Sequence, residues 1–383
     1  MRVVHYLPAV RLAEGGIVRF VLDLGERLAR AGHEVRLLCH DATDVPSTWG
    51  GPGARPPEVI LLPRPPLGAR ILGPRTLGRV AATLEGAAAL HVHGPWYPSN
   101  LQVARMAARA GTRAVLSPHG MLSAWSMAQR PWRKRAFLTA FMPLLRGLDL
   151  LHCTSEQERR DVAGFVAGVP ARVVPPVLDL AAFERLPGPE LARCTLRLPE
   201  PPTPLIVFMS RLHPKKGADL LVEAVALLRS RGARSHAVLA GAGDGAHEAD
   251  LRRLIAARRL EGDVRLVGSV TGELKLSLLQ AAKVVALPTH HENFGFVVPE
   301  ALACGTPVLT TRGLDLWREF ESSGAVWTAE RSAAPFAAAL ERALALGEDQ
   351  RRVMGARGRA WVHMTFEPAA LTARYEELYA LSG

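Results

Sequence analysis

Short apolar runs of strand length alternate with amphipathic stretches of helix length along most of the chain, and this alternation narrows the fold more than any other feature. Val3 to Leu7, Glu34 to Cys39, Ala89 to His93, Ala114 to Ser117 and Leu148 to Cys153 read as buried strands. Between the first two lies a helical stripe, Ile17, Phe20, Val21, Leu24 and Leu28. Strands separated by helices cannot pair as hairpins and instead form a parallel sheet with helices on both faces. The pattern resumes at Leu205 to Met209, after a Pro-rich crossing from Leu198 to Pro204. A chain of 383 residues, 48% of them hydrophobic, can fill two such cores. We expect an α/β protein with two doubly wound domains.

Composition bears on compartment and partners. No apolar run approaches the ~18 residues that span a bilayer, and Met1 leads into a strand without the basic and apolar regions of a secretory leader. The chain is expected in the cytoplasm. Cys39, Cys153, Cys194 and Cys304 show no CxxC spacing, which argues against a zinc ribbon or a redox pair. A net charge of +11 suits a phosphorylated substrate, an anionic membrane or nucleic acid alike. Without aromatic and basic residues interleaved along a sheet or recognition helix, nucleic acid is not expected. One basic run, Arg130 to Arg135 with Trp132, precedes an apolar helical stretch. It fits a solvated helix face, or a surface that meets a phosphorylated acceptor or anionic lipid headgroups, which would place the chain peripherally on the inner face of the plasma membrane.

The chemistry concentrates in residues 287 to 313. An apolar strand, Val284 to Leu287, runs into a polar loop with Glu292, and a helix follows with Pro299 and Glu300 in its first turn. Between the two carboxylates stand Asn293, Phe294, Gly295, Phe296, Val297, Val298 and Pro299, where Gly295 would let a ligand approach the backbone. Backbone N–H groups at a helix start attract phosphate, and carboxylates on either side can accept hydrogen bonds from sugar hydroxyls. Either carboxylate alone reads equally as a solvated residue or a partner for the helix dipole. Together they suggest a nucleotide-sugar site. A second charged loop, Ser210-Arg211-Leu212-His213-Pro214-Lys215-Lys216-Gly217, follows the strand Leu205 to Met209 and offers cations to a diphosphate.

The run from Glu292 to Glu300, continuing through Ala301-Leu302-Ala303-Cys304-Gly305-Thr306-Pro307, closely resembles the E-x7-E motif of the retaining family 4 glycosyltransferases. The resemblance implies the GT-B fold, two Rossmann-like domains facing an interdomain cleft. It implies an acceptor domain at 1–180, a nucleotide-sugar domain at 181–365, and a C-terminal helix, 366–383, crossing back to the first domain. By the same resemblance Glu292 contacts the donor sugar, Glu300 binds the ribose, and Asn293, Phe294, Gly295 and Phe296 belong to the donor site. Arg211 and Lys216 match the cations that hold the diphosphate. Gly16, in the Gly15-Gly16 pair, matches the family's glycine loop, and His119 of Ser117-Pro118-His119-Gly120 matches a histidine facing the donor sugar. Val270 and Lys275 fall where relatives contact the base. Pro175-Pro176-Val177-Leu178-Asp179 departs from the family's Pro-Asn-Gly-Val-Asp, so contacts made by that loop elsewhere are not assumed.

The expected reaction moves a sugar from a UDP- or GDP-linked donor to a sugar, glycolipid or lipid-linked acceptor in surface polysaccharide or glycolipid assembly. Glu292 and His119 are the candidate catalytic residues. His91 and His93 alternate on one strand and with His290 and His291 suggest a metal, but its ligands would need a carboxylate or thiolate to converge with them. Family 4 enzymes need no divalent ion, so no metal and no cofactor besides the donor is expected. Gly241-Ala242-Gly243 after a strand suggests a dinucleotide fingerprint but lacks the third glycine. The alternatives are an epimerase, a nucleic-acid-binding protein or a non-catalytic protein on the same fold.

Overall fold

The computed structural model describes residues 1–50, 57–65 and 71–380; the end of the expected C-terminal helix, 381–383, lies outside them. The chain divides into two compact units, one formed by Met1–Asp179 with the chain from Pro368 onward, the other by Leu180–Glu367.

The first unit holds a seven-stranded parallel sheet: β1 (Arg2–Tyr6), β2 (Glu34–Cys39), β3 (Glu58–Leu61), β4 (Ala89–His93), β5 (Arg113–Ser117), β6 (Leu150–Cys153) and β7 (Ala171–Val173), in the order β3-β2-β1-β4-β5-β6-β7. The central strands are buried along almost their whole length, as expected of a parallel sheet with helices on both faces. The helix Gly16–Arg30 buries Val18, Phe20, Val21, Leu24 and Leu28 along one stripe. Each contributes about 1.5–3 kcal/mol of transfer free energy. The last helix, Pro368–Ala380, packs within this unit: Arg27 Nε donates to Thr372 Oγ1 at 2.9 Å and the Tyr375 hydroxyl to the Pro175 carbonyl at 3.0 Å.

The second unit has a six-stranded parallel sheet: β8 (Leu205–Met209), β9 (His236–Ala240), β10 (Val264–Gly268), β11 (Val284–Leu287), β12 (Val308–Thr311) and β13 (Val326–Ala329), ordered β10-β9-β8-β11-β12-β13. Both sheets are doubly wound. In each, strand order reverses beside the first strand, between β1 and β4 and between β8 and β11. Ligands of such sheets bind outside the carboxyl ends of the strands at that reversal. The loops leaving β8 and β11 carry Arg211, Lys216 and Glu292.

Candidate functional site

In the second unit, β8 exits through Ser210 to a single 3₁₀ turn, Pro214–Lys216, and then the helix Ala218–Ser230. His213 caps the turn, its Nδ1 accepting from the Lys215 amide at 3.0 Å. Gly217 sits at φ 76°, and a Cβ there would lie 2.1 Å from the Pro288 carbonyl oxygen, so only glycine lets this loop lie against the exit of β11. Two further bonds join the loops. The His290 amide donates to the Lys215 carbonyl at 2.7 Å, and Thr289 Oγ1 donates to the same oxygen at 3.1 Å. Gly241 and Gly243 serve the same end. A Cβ on Gly241 would lie 1.9 Å from the Ser210 carbonyl oxygen, and one on Gly243 would lie 2.3 Å from that of Leu212. The glycines that suggest a dinucleotide fingerprint thus provide room for the Arg211 loop.

This packing brings Lys216, which is buried, onto Glu292, its Nζ donating to Oε2. Burial pushes the Glu292 carboxyl up, and Lys216 with Lys215 more than offsets that, leaving it below the ordinary carboxylate value. Lys275, on the helix Gly272–Ala281, donates to Glu300 Oε1 at 2.5 Å, and Glu300 is 2% exposed. Each candidate carboxylate therefore carries its own lysine. Arg211 is exposed beyond them, and Val270 is half-buried on the loop before Thr271, which caps the Lys275 helix.

Phe294 stands differently from the expectation. Its ring is 4% exposed and packs against Phe296, Phe320 and Phe366 at centroid separations of 4.8, 6.2 and 5.7 Å. Its side chain belongs to the core, which leaves the backbone for a ligand. Gly295 has φ 71°, and a Cβ there would meet Leu314 at 3.0 Å and Glu292 Cγ at 3.2 Å, so the glycine serves the turn that aims Glu292. Asn293 and Phe296 are half-buried on that turn.

Lys215, which the sequence places in the charged loop without singling it out, also belongs to this group. Burial pulls its ammonium down to about 8, with Glu292 opposing and Lys216 and Arg211 adding to the effect. A diphosphate bound here would favour the protonated form, so above pH 8 binding requires proton uptake. We expect the Kd for the nucleotide to rise by up to about tenfold between pH 8 and pH 9. Calorimetry in buffers of different ionisation heat reads the proton directly. A flat affinity over that range would remove Lys215 from the site.

In the first unit Gly15, not Gly16, carries the demanding backbone, with φ 103° where it caps the helix Gly16–Arg30. Gly16 is exposed in the first turn of that helix. Phe20, one turn further on the same face, lies edge-on to His119 at 4.9 Å. His119 has φ 54° and Gly120 φ 70°. A left-handed histidine costs about 1 kcal/mol, and such strain concentrates at functional loops. Buried Glu158 holds the loop, taking the Gly120 amide on Oε1 at 2.5 Å and the Thr154 amide and hydroxyl on Oε2 at 2.7 and 2.9 Å.

Beneath His119 lies a histidine cluster. His91 and His93 share one face of β4, and the parallel register sets His5 opposite His91 and Ser117 opposite His93. His5, His91 and His93 bring nitrogens within 4.8 Å of one another, a spacing compatible with a metal ion. Most of those nitrogens already have other partners. His5 Nδ1 meets His93 Nε2 at 3.1 Å, His93 Nδ1 meets His119 Nε2 at 3.0 Å, and His91 meets Tyr379 and Ser117 at 2.8 and 2.6 Å. Of the nitrogens of His5, His91 and His93, Nε2 of His5 alone is buried without a partner among the described residues. His290 is exposed and His291 sits beside Asp315 at 3.4 Å, both in the other unit.

Residues 197–361 match the family described as glycosyl transferases group 1, and residues 15–176 match the glycosyl transferase 4-like domain. The D-inositol 3-phosphate glycosyltransferase of Kineococcus radiotolerans is 31% identical over 77% of this chain and 72% of its own length. Among solved structures, Anabaena HepE in complex with UDP-glucose superposes with a TM-score of 0.77 at 19% identity, covering 100% of both chains. WaaG, a glycosyltransferase involved in lipopolysaccharide biosynthesis, superposes with a TM-score of 0.74 at 18% identity, covering 99% of this chain and 100% of its own.

Proposed function

The chain belongs to the group 1 glycosyl transferases, on the GT-B fold, and from that premise we propose a reaction that retains the anomeric configuration and needs no metal ion. A sugar passes from a nucleoside diphosphate, UDP- or GDP-linked, to an acceptor hydroxyl. The observation that carries this reading is the pair of lysine–carboxylate contacts, Lys216 on Glu292 from the loops leaving β8 and β11, and Lys275 of the helix after β10 on Glu300 of the helix after β11. Lys216, Lys215 and Arg211 supply the positive charge that a departing diphosphate needs and that a divalent ion supplies in other enzymes. Glu292 faces the sugar and steadies the charge that develops at its anomeric carbon, while Glu300 accepts from the ribose. The family resemblance favours a front-face path, in which the leaving phosphate helps deprotonate the acceptor.

The UDP-glucose held by HepE supports a uridine donor, and WaaG supports an acceptor in surface glycolipid assembly. The first unit supports a membrane-borne acceptor through Trp132, which is 68% exposed beside the exposed Arg130, Arg133 and Arg135. No helix among the described residues is long and apolar enough to cross a membrane. The relatives named for D-inositol 3-phosphate favour a second acceptor, a phosphorylated polyol. An acceptor panel of lipid-linked sugar against inositol phosphate separates the two.

The donor is read by thermal shift with UDP, GDP, ADP and their sugar conjugates, with and without EDTA. A ligand at a hundred times its Kd adds about 2.7 kcal/mol of stability, which is on the order of 5–10 °C for a unit of this size. We expect one nucleotide to give this shift, with EDTA neutral and the shift lost in Glu300→Gln. No shift from any nucleotide would overturn the donor site, and a shift abolished by EDTA would overturn the metal-free reading.

A further inference from the structure

The histidines under His119 form two hydrogen-bonded chains, and neutral imidazole has one donor and one acceptor, so each chain has a readable direction. The first is fixed at a carbonyl. His152 Nε2 meets the Val174 carbonyl at 2.8 Å and must donate, which leaves Nδ1 as an acceptor. The Ser117 hydroxyl, 2.6 Å from that Nδ1, therefore donates to it and accepts from His91 Nε2 at 2.6 Å. His91 Nδ1 is then an acceptor and takes the Tyr379 hydroxyl at 2.8 Å. Every proton has a place without any charge.

The second chain runs from His5 Nδ1 to His93 Nε2 and from His93 Nδ1 to His119 Nε2. It ends at His5 Nε2, buried without a partner among the described residues. A buried N–H with nothing to donate to is the rarer and costlier orphan; an unused lone pair is the cheaper one. His5 Nε2 is thus the unprotonated nitrogen. His5 donates from Nδ1 to His93, and His93 donates from Nδ1 to His119 Nε2. The only proton left to neutral His119 lies on Nδ1.

We propose that His93, backed by His5, is a positioning residue that fixes His119 as the Nδ1–H form and so presents it to its ligand as a hydrogen-bond donor. His119 offers that N–H outward from a loop clamped by Glu158, with Phe20 covering its face. The inference rests on the reading that His119 meets the donor sugar, and adds which nitrogen does so and what sets it. A hydroxyl oxygen of the sugar is the group such a donor would engage. The ring column supports the arrangement: His5 and His93 stack at 5.4 Å and 9°, His93 and His119 at 5.3 Å and 28°.

The test is long-range proton–nitrogen correlation NMR on the ¹⁵N-histidine-labelled full chain at neutral pH. His119→Asn identifies the His119 signals by their loss, asparagine being tolerant of left-handed backbone. The expected result is an Nδ1–H pattern for His119 in the unmodified protein. In His93→Gln, whose amide reaches the Nε2 end of the ring but not the Nδ1 end, the pattern should move to Nε2–H. Turnover of the nucleotide sugar should fall about tenfold in that variant, the cost of one misdirected hydrogen bond, while the affinity for the nucleotide alone stays unchanged. An Nε2–H pattern in the unmodified protein overturns the proposal even if the variant fails to fold. An Nδ1–H pattern that persists in His93→Gln overturns it equally. If both patterns appear as expected but His119→Asn turns over normally, the sugar-facing role of His119 fails and the positioning by His93 stands.

Discussion

Lys216→Ala is expected to lower kcat/KM for the nucleotide-sugar donor by about a thousandfold while leaving the chain folded. Removing one preorganised donor to a charge that develops in the transition state costs roughly 2.7–4 kcal/mol. Lys216 qualifies as preorganised because Gly217 and the bonds from His290 and Thr289 fix its turn before any ligand arrives. Its ammonium already rests on Glu292. An ammonium has three N–H donors, so it can keep that contact and add one to the diphosphate without an entropic cost of ordering. The same contact sets the stability cost. With Lys216 gone, Glu292 loses its hydrogen-bonded cation and keeps the weaker pull of Lys215 and His291, so its carboxyl titrates higher and the melting temperature falls by a few degrees. Glu292→Gln added to Lys216→Ala should restore most of that stability and none of the turnover. Turnover of Lys216→Ala within a few-fold of the unmodified enzyme would exclude the cationic clamp.

The folding of the two sheets was legible because parallel strands are buried on both faces and read as continuous apolar runs, as in Leu205-Ile206-Val207-Phe208-Met209. Among the strands that went unread, β3 and β7 are edge strands. Glu58–Leu61 is exposed at both ends and Ala171–Val173 is three residues long, so neither carries a burial signal. Of the site, the charged loops were legible as local clusters that follow strands. What could not be read is which lysine meets which carboxylate, since Lys275 reaches Glu300 across 25 positions and Lys216 reaches Glu292 across 76. The histidine cluster shows the same limit. His91 and His93 announce a shared face by their spacing, but His5, Ser117 and His152 join them only through parallel register and a shared hydroxyl. The one available signal was a polar residue in each of several otherwise apolar strands.

That cluster also governs how the first unit responds to acid. His5, His91, His93 and His152 are at most 1% exposed. Burial lowers His5 to about 3 and His152 to about 4, and it drives His91 and His93 well below the ordinary histidine value, with the neighbouring imidazoles adding to the fall. Hydrogen bonding leads to the same conclusion, since the neutral rings already place every proton, and a further one would set two donors against each other or, at His5 Nε2, bury an N–H with no acceptor among the described residues. An unfolded histidine titrates near 6.5, so below that pH the unfolded chain binds protons that the folded unit refuses. Stability is then fully present above about 6.5 and falls as pH drops toward the folded values of 3 to 4. At pH 5 the loss is about 2 kcal/mol for each buried histidine. His5 and His152 together lose on the order of 4 kcal/mol, a large share of the stability of many domains, and His91 and His93 add to the loss in the same direction. Carboxylates held low by hydrogen bonds, such as Asp41 at about 2, begin to contribute only at lower pH. In the second unit His291, lowered to about 4 by burial and then by Lys215, is buried to a comparable degree. Calorimetry should therefore show one transition, or two close together, at pH 7.5. At pH 5 the transition of the first unit should lie lower by about 10 °C or more and ahead of the other. Proteolysis at that temperature should cut first within residues 1–179. His5→Phe removes one titrating ring whose Nε2 bonds to nothing, and should reduce the pH slope of the first transition by about one proton. A first transition that holds its temperature from pH 7.5 to pH 5 would mean that the cluster takes up protons in the folded state, and the neutral chains would have to be abandoned.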